Sequence, residues 1–299
     1  MRKKSLSQTR AFHLMLLPGV LLAVFMSYVP MAGNIMAFQK FVPIKGIFGS
    51  KFVGLDNFKY IFLMPNFTQV LFNTVFIASM KIVLSILFPV FVALLLNEIR
   101  SNHYKRTLQT IVYLPHFLSW IVLGGIFIDV LSPSGGIVNE ILKLFGAQPI
   151  FFLANDKLFP YVLVVTELWK EFGFSTIVYL AALTGIDPTY YEAAIVDGAS
   201  RWKQTLHVTL PSISYMIILM TVLGVGNVLN AGFDQVFNLY SPVVYKTGDI
   251  IDTFVYRLGI VNAQYSVATA VGLFKSVIST MFIVVSYRLA YKFGDYRIF

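Results

Sequence analysis

Six long apolar runs constrain this 299-residue chain more than any other feature. They cover Phe12–Val29, Gln69–Leu96, Thr107–Leu131, Pro160–Leu183, Ile213–Phe233 and Ser266–Tyr291. A helix needs about 20 apolar residues to cross about 30 Å of hydrocarbon. The pattern therefore predicts an all-α polytopic membrane protein with six transmembrane helices. Composition points the same way: 57% of residues are hydrophobic and only 12% are charged, against roughly 25% charged in an ordinary soluble domain. That balance excludes disorder and argues against a soluble enzyme. There is no cysteine, hence no disulfide, thiolate zinc site, iron–sulfur cluster or cysteine nucleophile.

The net charge of +9 would suggest nucleic acid in a soluble protein. In a membrane protein the positive-inside bias accounts for it, and no nucleic-acid partner is expected. With the N-terminus placed in the cytoplasm, twelve of the 23 Lys and Arg residues fall on the cytoplasmic side and eight on the other. Lys81, Lys170 and Lys275 lie within spans. Both termini are thus expected inside. Arg2-Lys3-Lys4 before an apolar run has the look of a signal peptide, but no small-x-small cleavage site follows, so a retained first helix is expected. Residues 30–68 are expected to be a polar outer loop. Pro133-Ser134-Gly135-Gly136 marks a turn, and Asn139–Phe145 a short amphipathic helix.

One loop carries a denser pattern. After Gly185-Ile186, Asp187 is a good N-cap and Pro188 suits a first helical position, so a short helix is expected from about 188. Glu192-Ala193-Ala194 then gives a small, smooth face that another surface can approach closely. Asp197 precedes Gly198, which permits a bend. Trp202, Leu206 and Val208 restore an apolar face, and Leu210-Pro211 leads into the fifth span.

This stretch resembles the EAA loop of binding-protein-dependent ABC importer permeases: Glu-Ala-Ala, three residues, Gly, nine residues, Ile, any residue, Leu-Pro. Here Val208 replaces the Ile, a chemically mild change. Tyr113-Leu114-Pro115, Ser119-Trp120-Ile121-Val122, Gly135-Gly136-Ile137-Val138-Asn139 and Ile186-Asp187-Pro188 are similar to the sugar-permease group related to the maltose-transporter subunits. Tyr179-Leu180-Ala181-Ala182-Leu183 and the Tyr296-Arg297-Ile298-Phe299 ending look more like its oligosaccharide and polysaccharide branch. The resemblance covers most of the chain, and is tightest over about 70–290. It implies three segments: 1–68 (tail, first helix, outer loop), a type I permease domain over 69–291 with its coupling loop at 185–211, and a tail at 292–299.

The resemblance also implies partners. These are a second homologous permease, two copies of a cytosolic ABC ATPase, an extracellular solute-binding protein, a carbohydrate cargo, and the lipid of a bacterial cell membrane. ATP and Mg would sit on the ATPase. This chain has no Gly-x4-Gly-Lys-[Ser/Thr], and is expected to bind no cofactor and to have no enzymatic activity. Within the loop, the family pattern assigns ATPase coupling to Glu192, Ala193, Ala194, Asp197, Gly198, Val208, Leu210 and Pro211.

The cargo path is written more faintly. Charges within spans are costly and should face the bundle interior; Lys81, Asp129, Glu167, Lys170, Glu171 and Lys275 qualify by position. Asn227 and Asn230, beside Gly224 and Gly226, offer amides suited to sugar hydroxyls; interhelical hydrogen bonding and small-residue packing are the plainer reading of the same residues. Lys81, Asn227, Asn230 and Lys275 are the residues expected along the path. His13, His103, His116 and His207 have no metal-ligand spacing. An ion-coupled transporter would call for inverted repeats and broken helices, and neither is evident. An intramembrane enzyme would need paired Asp, Ser/His or His-Glu-x-x-His within spans, and none occurs. A non-sugar cargo such as phosphate, polyamine or peptide remains the alternative within the family.

Overall fold

The computed structural model describes residues Leu6–Gly294. The basic residues Arg2, Lys3 and Lys4 and the Tyr296–Phe299 ending lie outside the described residues. The chain divides into two compact units, residues 1–65 with 255–274, and residues 66–254 with 275–299.

In the first unit, helix α1 (Leu6–Ala23) continues through a π turn (Val24–Tyr28) and a 3-10 turn (Ala32–Phe38). The stretch expected to be a polar loop is folded. Strands β1 (Gln39–Lys40) and β2 (Lys51–Phe52) pair antiparallel, Gln39 opposite Phe52. Helix α2 (Asp56–Leu63) packs against the 3-10 turn Ala32–Phe38. Asn57 Nδ2 donates to the Ala37 and Gln39 carbonyls at 2.8 and 2.9 Å, tying the helix to the hairpin base. These are local side-chain bonds that hydropathy does not register.

In the second unit, α3 (Phe67–Asn97) and α7 (Phe159–Thr184) form the main packed pair. Ala93, Leu96, Tyr179, Leu183 and Ile213 build an apolar core around one end of that pair. Between them in sequence come α4 (Asn102–Tyr113), α5 (Trp120–Val130) and the amphipathic α6 (Ile137–Leu144). After α7 come α8 (Pro188–Val196), α9 (Leu210–Gly226) and α10 (Phe233–Leu239); α11 (Tyr265–Gly294) starts in the first unit, and its residues from Lys275 onward belong to the second.

Among the described residues, four helical stretches are long and apolar enough to cross a membrane: Arg10–Phe38, Phe67–Asn97, Arg201–Gly226 and Tyr265–Arg288. Three expected spans differ from the sequence reading. Thr107–Leu131 is not one rod. It is Asn102–Phe117 and Trp120–Val130, bent by 102°, and it supplies a fifth span if counted as one. Pro115 cannot donate to the helix ladder, and Ser119 caps a new helix by accepting from the Val122 amide. The run at Pro160–Leu183 is helical, and α7 has 26 residues, but Glu167, Lys170 and Glu171 make it too polar for the same criterion.

The fifth expected run, Ile213–Phe233, is shifted. Helix begins at Arg201 and ends at Gly226. A π turn at Thr205–Thr209 lies just before Pro211, whose missing N–H removes one ladder bond. At the other end Asn227, Val228 and Asn230 donate their amides to the third residue before each, and Gly232 takes φ +91° before α10 starts. Asn227 and Asn230 are therefore on a turn, not inside a span.

Candidate functional site

The 185–211 loop is built from local signals. Asp187 Oδ1 accepts from the Thr189 amide at 2.9 Å, which caps α8 and holds the Asp187 carboxyl below its usual range. At the other end Ala199 N donates to Ala194 O at 2.9 Å and Gly198 N to Ile195 O at 3.0 Å, a Schellman closure that requires the left-handed φ of +72° at Gly198. Ser200 caps the turn Arg201–Gln204. Tyr191 Oη and Thr209 Oγ1, 3.0 Å apart, tie the loop to the start of α9, and Arg201 pairs with Glu98 at 2.6 Å.

Ala193, Ala194, Asp197, Val208 and Pro211 line one shallow groove, so the structure brings five of the eight expected coupling residues to one place. Glu192 is exposed and makes no hydrogen bond or ion pair among the described residues. Leu210 packs against the apolar core. Ile195, Val196 and Trp202 are large, apolar and exposed on the same loop.

The second site is a cavity of about 380 Å³ in the second unit. Its wall includes Lys81, Ser85, Glu167, Glu171, Asn227 and Asn230. Three of the four expected path residues thus converge. Lys275 is not in that wall; it forms an ion pair with Asp252.

The chemistry of the wall follows from the two broken helices. Lys81 Nζ donates to Ala231 O at 2.7 Å, a carbonyl freed where α9 ends, and to Gln235 Oε1, with Glu167 Oε2 3.6 Å away. Gln235 Nε2 in turn donates to Leu163 O at 2.6 Å and Thr166 Oγ1 at 2.7 Å. At the other break, Lys170 Nζ donates to His116 O at 3.0 Å and to Glu171 Oε1 at 2.6 Å. His116 Nδ1 meets Glu171 Oε2 at 2.7 Å, and its ring stacks on Phe174 with centroids 4.0 Å apart. Irregular backbone persists at membrane depth only where its polar groups find partners or face a cavity. Here each break is held by a lysine, and each lysine is balanced by a glutamate of α7.

Gly173 makes the close approach of α4 and α7 possible. A Cβ there would lie 1.9 Å from Val112 O. At Gly232 a Cβ would lie 3.1 Å from Lys81 Nζ. Sequence reasoning singled out Glu167 and Glu171 as charges within a span, but did not place them at the site. It missed Gln235 and Gly173 altogether. Gly173 follows Glu171 by two residues, and that proximity was the one available signal.

Four helical stretches apolar enough to cross a membrane, with a polar cavity between helices of the second unit, fit a membrane transport component. The comparisons narrow this: the chain belongs to the family of binding-protein-dependent transport system inner membrane components, whose model matches residues 85–294. The polygalacturonan/rhamnogalacturonan transport system permease protein YteP of Bacillus subtilis (strain 168) is 39% identical over 98% of this chain and 92% of its own length. A solved structure of a bacterial ABC transporter involved in importing the acidic polysaccharide alginate superposes with a TM-score of 0.88. It shares 35% identity and covers 96% of this chain and 97% of the other. A second structure, of the bacterial alginate ABC transporter in complex with an alginate pentasaccharide-bound periplasmic protein, matches equally well in TM-score and covers 96% of each chain. This chain is the permease, a non-enzymatic membrane subunit, of an ABC importer.

Proposed function

We propose that the chain forms half of the path through which an oligosaccharide or polysaccharide fragment enters the cell from a solute-binding protein. The observation that carries this reading is the 39% identity, over nearly the whole chain, to a permease named for polygalacturonan and rhamnogalacturonan. The alginate importers matched in fold act on a polysaccharide as well. In this reading the chain crosses the membrane six times. The broken pair α4–α5 is one crossing, and α7 is another whose three charges face protein and cavity rather than lipid. Both termini and the 185–211 loop are cytoplasmic, and residues 69–291 form the permease domain.

Helix α8 is then the coupling helix. Its Ala193–Ala194 face and the exposed Ile195 and Val196 fit a groove on an ATPase, and Glu192 offers a charge to it. A second homologous permease supplies the other half of the path. Two copies of the ATPase hold ATP and Mg and drive a rigid-body switch between two states. Asn227 and Asn230, exposed in the cavity wall, present amides to sugar hydroxyls, while Lys81 holds the turn that carries them.

Reconstitution of the assembled importer with its binding protein tests the proposal. Binding protein loaded with pectin-type or alginate-type oligosaccharides should stimulate ATP hydrolysis and accumulate the sugar in vesicles. Stimulation by loaded phosphate-, polyamine- or peptide-binding proteins, with none by oligosaccharide, would overturn it.

A further inference from the structure

The tip of the β1–β2 hairpin presents large apolar side chains to the outside of the fold. This tip, residues 42–49, has a self-satisfied backbone. Gly46 adopts φ +65°, Ser50 Oγ donates to Gly46 O at 2.6 Å and accepts from Val42 N at 3.0 Å, and Gln39 Nε2 donates to Ile47 O at 2.9 Å. This hydrogen-bonded turn holds Ile44 and Phe48 in full exposure, at 98% and 104% of their reference areas. Lys40, Lys45 and Lys51 surround them, all exposed, and no Asp or Glu occurs from residue 40 to 55.

The base of the hairpin fixes its level. The candidate span Arg10–Phe38 ends immediately before β1. Phe41 N donates to Ser266 Oγ at 2.8 Å, and the Phe41 ring meets Tyr265 edge-on at 6.0 Å, at the start of the candidate span Tyr265–Arg288. The hairpin therefore springs from the ends of two membrane helices. Ile44 lies four residues beyond Lys40, so it is at most about 14 Å from the strand pair at full extension.

We propose that this tip is a lipid-contact device. Ile44 and Phe48 insert into the interfacial layer of the bilayer, and Lys40, Lys45 and Lys51 bind the phosphates of anionic phospholipids. Apolar side chains at the headgroup boundary with lysines around them are the pattern of interfacial anchoring, and three unopposed positive charges match an anionic lipid surface. Continuity with the span ends favours lipid over a soluble protein partner. The inference requires only that the spans end at Phe38 and Tyr265, and is independent of cargo and of the role of α8.

The absence of cysteine from this chain permits site-specific labelling of it in the assembled importer. Phe48→Cys, and separately Ile44→Cys, would carry an environment-sensitive fluorophore, with the unsubstituted complex as the labelling control. The complexes would be placed in nanodiscs of phosphatidylcholine, with or without phosphatidylglycerol. The expected result is severalfold stronger quenching by nitroxide-bearing lipid than by aqueous iodide, with the difference largest when phosphatidylglycerol is present. Lys40→Gln, Lys45→Gln and Lys51→Gln together should remove the phosphatidylglycerol dependence. Stronger quenching by iodide would overturn the proposal. So would shielding from both quenchers, or shielding that appears only when the solute-binding protein is added, because either would make the tip a protein contact. Quenching that ignores phosphatidylglycerol would overturn the role of the lysines.

Discussion

The 185–211 loop and the charged cavity end their helices by opposite means. In the loop every terminus is closed by its own neighbours: Asp187 caps α8 from two residues away, and Gly198 closes it through bonds one turn back. At the cavity, the carbonyls freed by the breaks are closed by side chains distant in sequence, Lys81 for Ala231 and Lys170 for His116. Water can satisfy a loop that is imperfectly capped, but hydrocarbon cannot. The loop is thus robust in folding and exacting in what it presents. The cavity is exacting in folding itself.

The largest expected effect lies at Gly173. Gly173→Val would drive a side chain into the Val112 carbonyl, so α4 would have to leave α7. A loss of more than about 3 kcal/mol is expected, seen as failure to recover folded protein from membranes. Next comes Lys81→Met, which leaves Glu167 and Ala231 O without their cation. Removing one partner of a buried pair costs about 3–5 kcal/mol. Lys81→Met with Glu167→Gln should recover much of it, and a thermal-unfolding double-mutant cycle measures the difference. A loss in the double variant equal to the sum of the two single losses would show that the pair is not coupled.

A smaller effect is expected at the turn. Asn227→Ala and Asn230→Ala remove exposed amides, and the fold should change by less than about 1 kcal/mol, while uptake falls with binding-protein affinity unaltered. Unaffected uptake in the double variant would remove both from the cargo path. The smallest effect belongs to the Asp187 cap. Its carboxyl is held below its ordinary value, so the cap is fully present above that ordinary value and is lost as pH falls through the lowered one. Amide exchange at Thr189 and Tyr190 should accelerate over that acid range in the native chain, and should lack this pH step in Asp187→Asn.

The two regions were unequally legible in the sequence for the same physical reason. Asp-Pro, Glu-Ala-Ala and Gly are contiguous signals, so the start of α8 and the bend at Gly198 follow from short-range rules. The breaks are hidden because hydropathy averages over a window: Val228, Leu229 and Phe233 keep the fifth run apolar through a turn. Pro115 and Ser119 did mark the other break, but the surrounding residues are apolar enough to suggest one rod. The convergence of Lys81, Asn227 and Asn230 was foreseen only as a shared preference for the interior. The contacts that unite them span 150 residues or more, and no local pattern encodes such pairings.

Ligand-stimulated ATP hydrolysis of the reconstituted importer carrying Gly198→Trp tests the central claim most directly. No atom lies within 4 Å of a Cβ at Gly198, and only the left-handed φ of +72° opposes a side chain there. The chain should therefore insert and fold with a penalty of about 1–2 kcal/mol, and the binding protein should hold its sugar as before. A bulky side chain at the end of α8 should nevertheless separate the helix from the ATPase, so stimulated hydrolysis and uptake should both be lost, as also in Glu192→Lys. Undiminished stimulation and uptake in Gly198→Trp would show the 185–211 loop to be an ordinary connector.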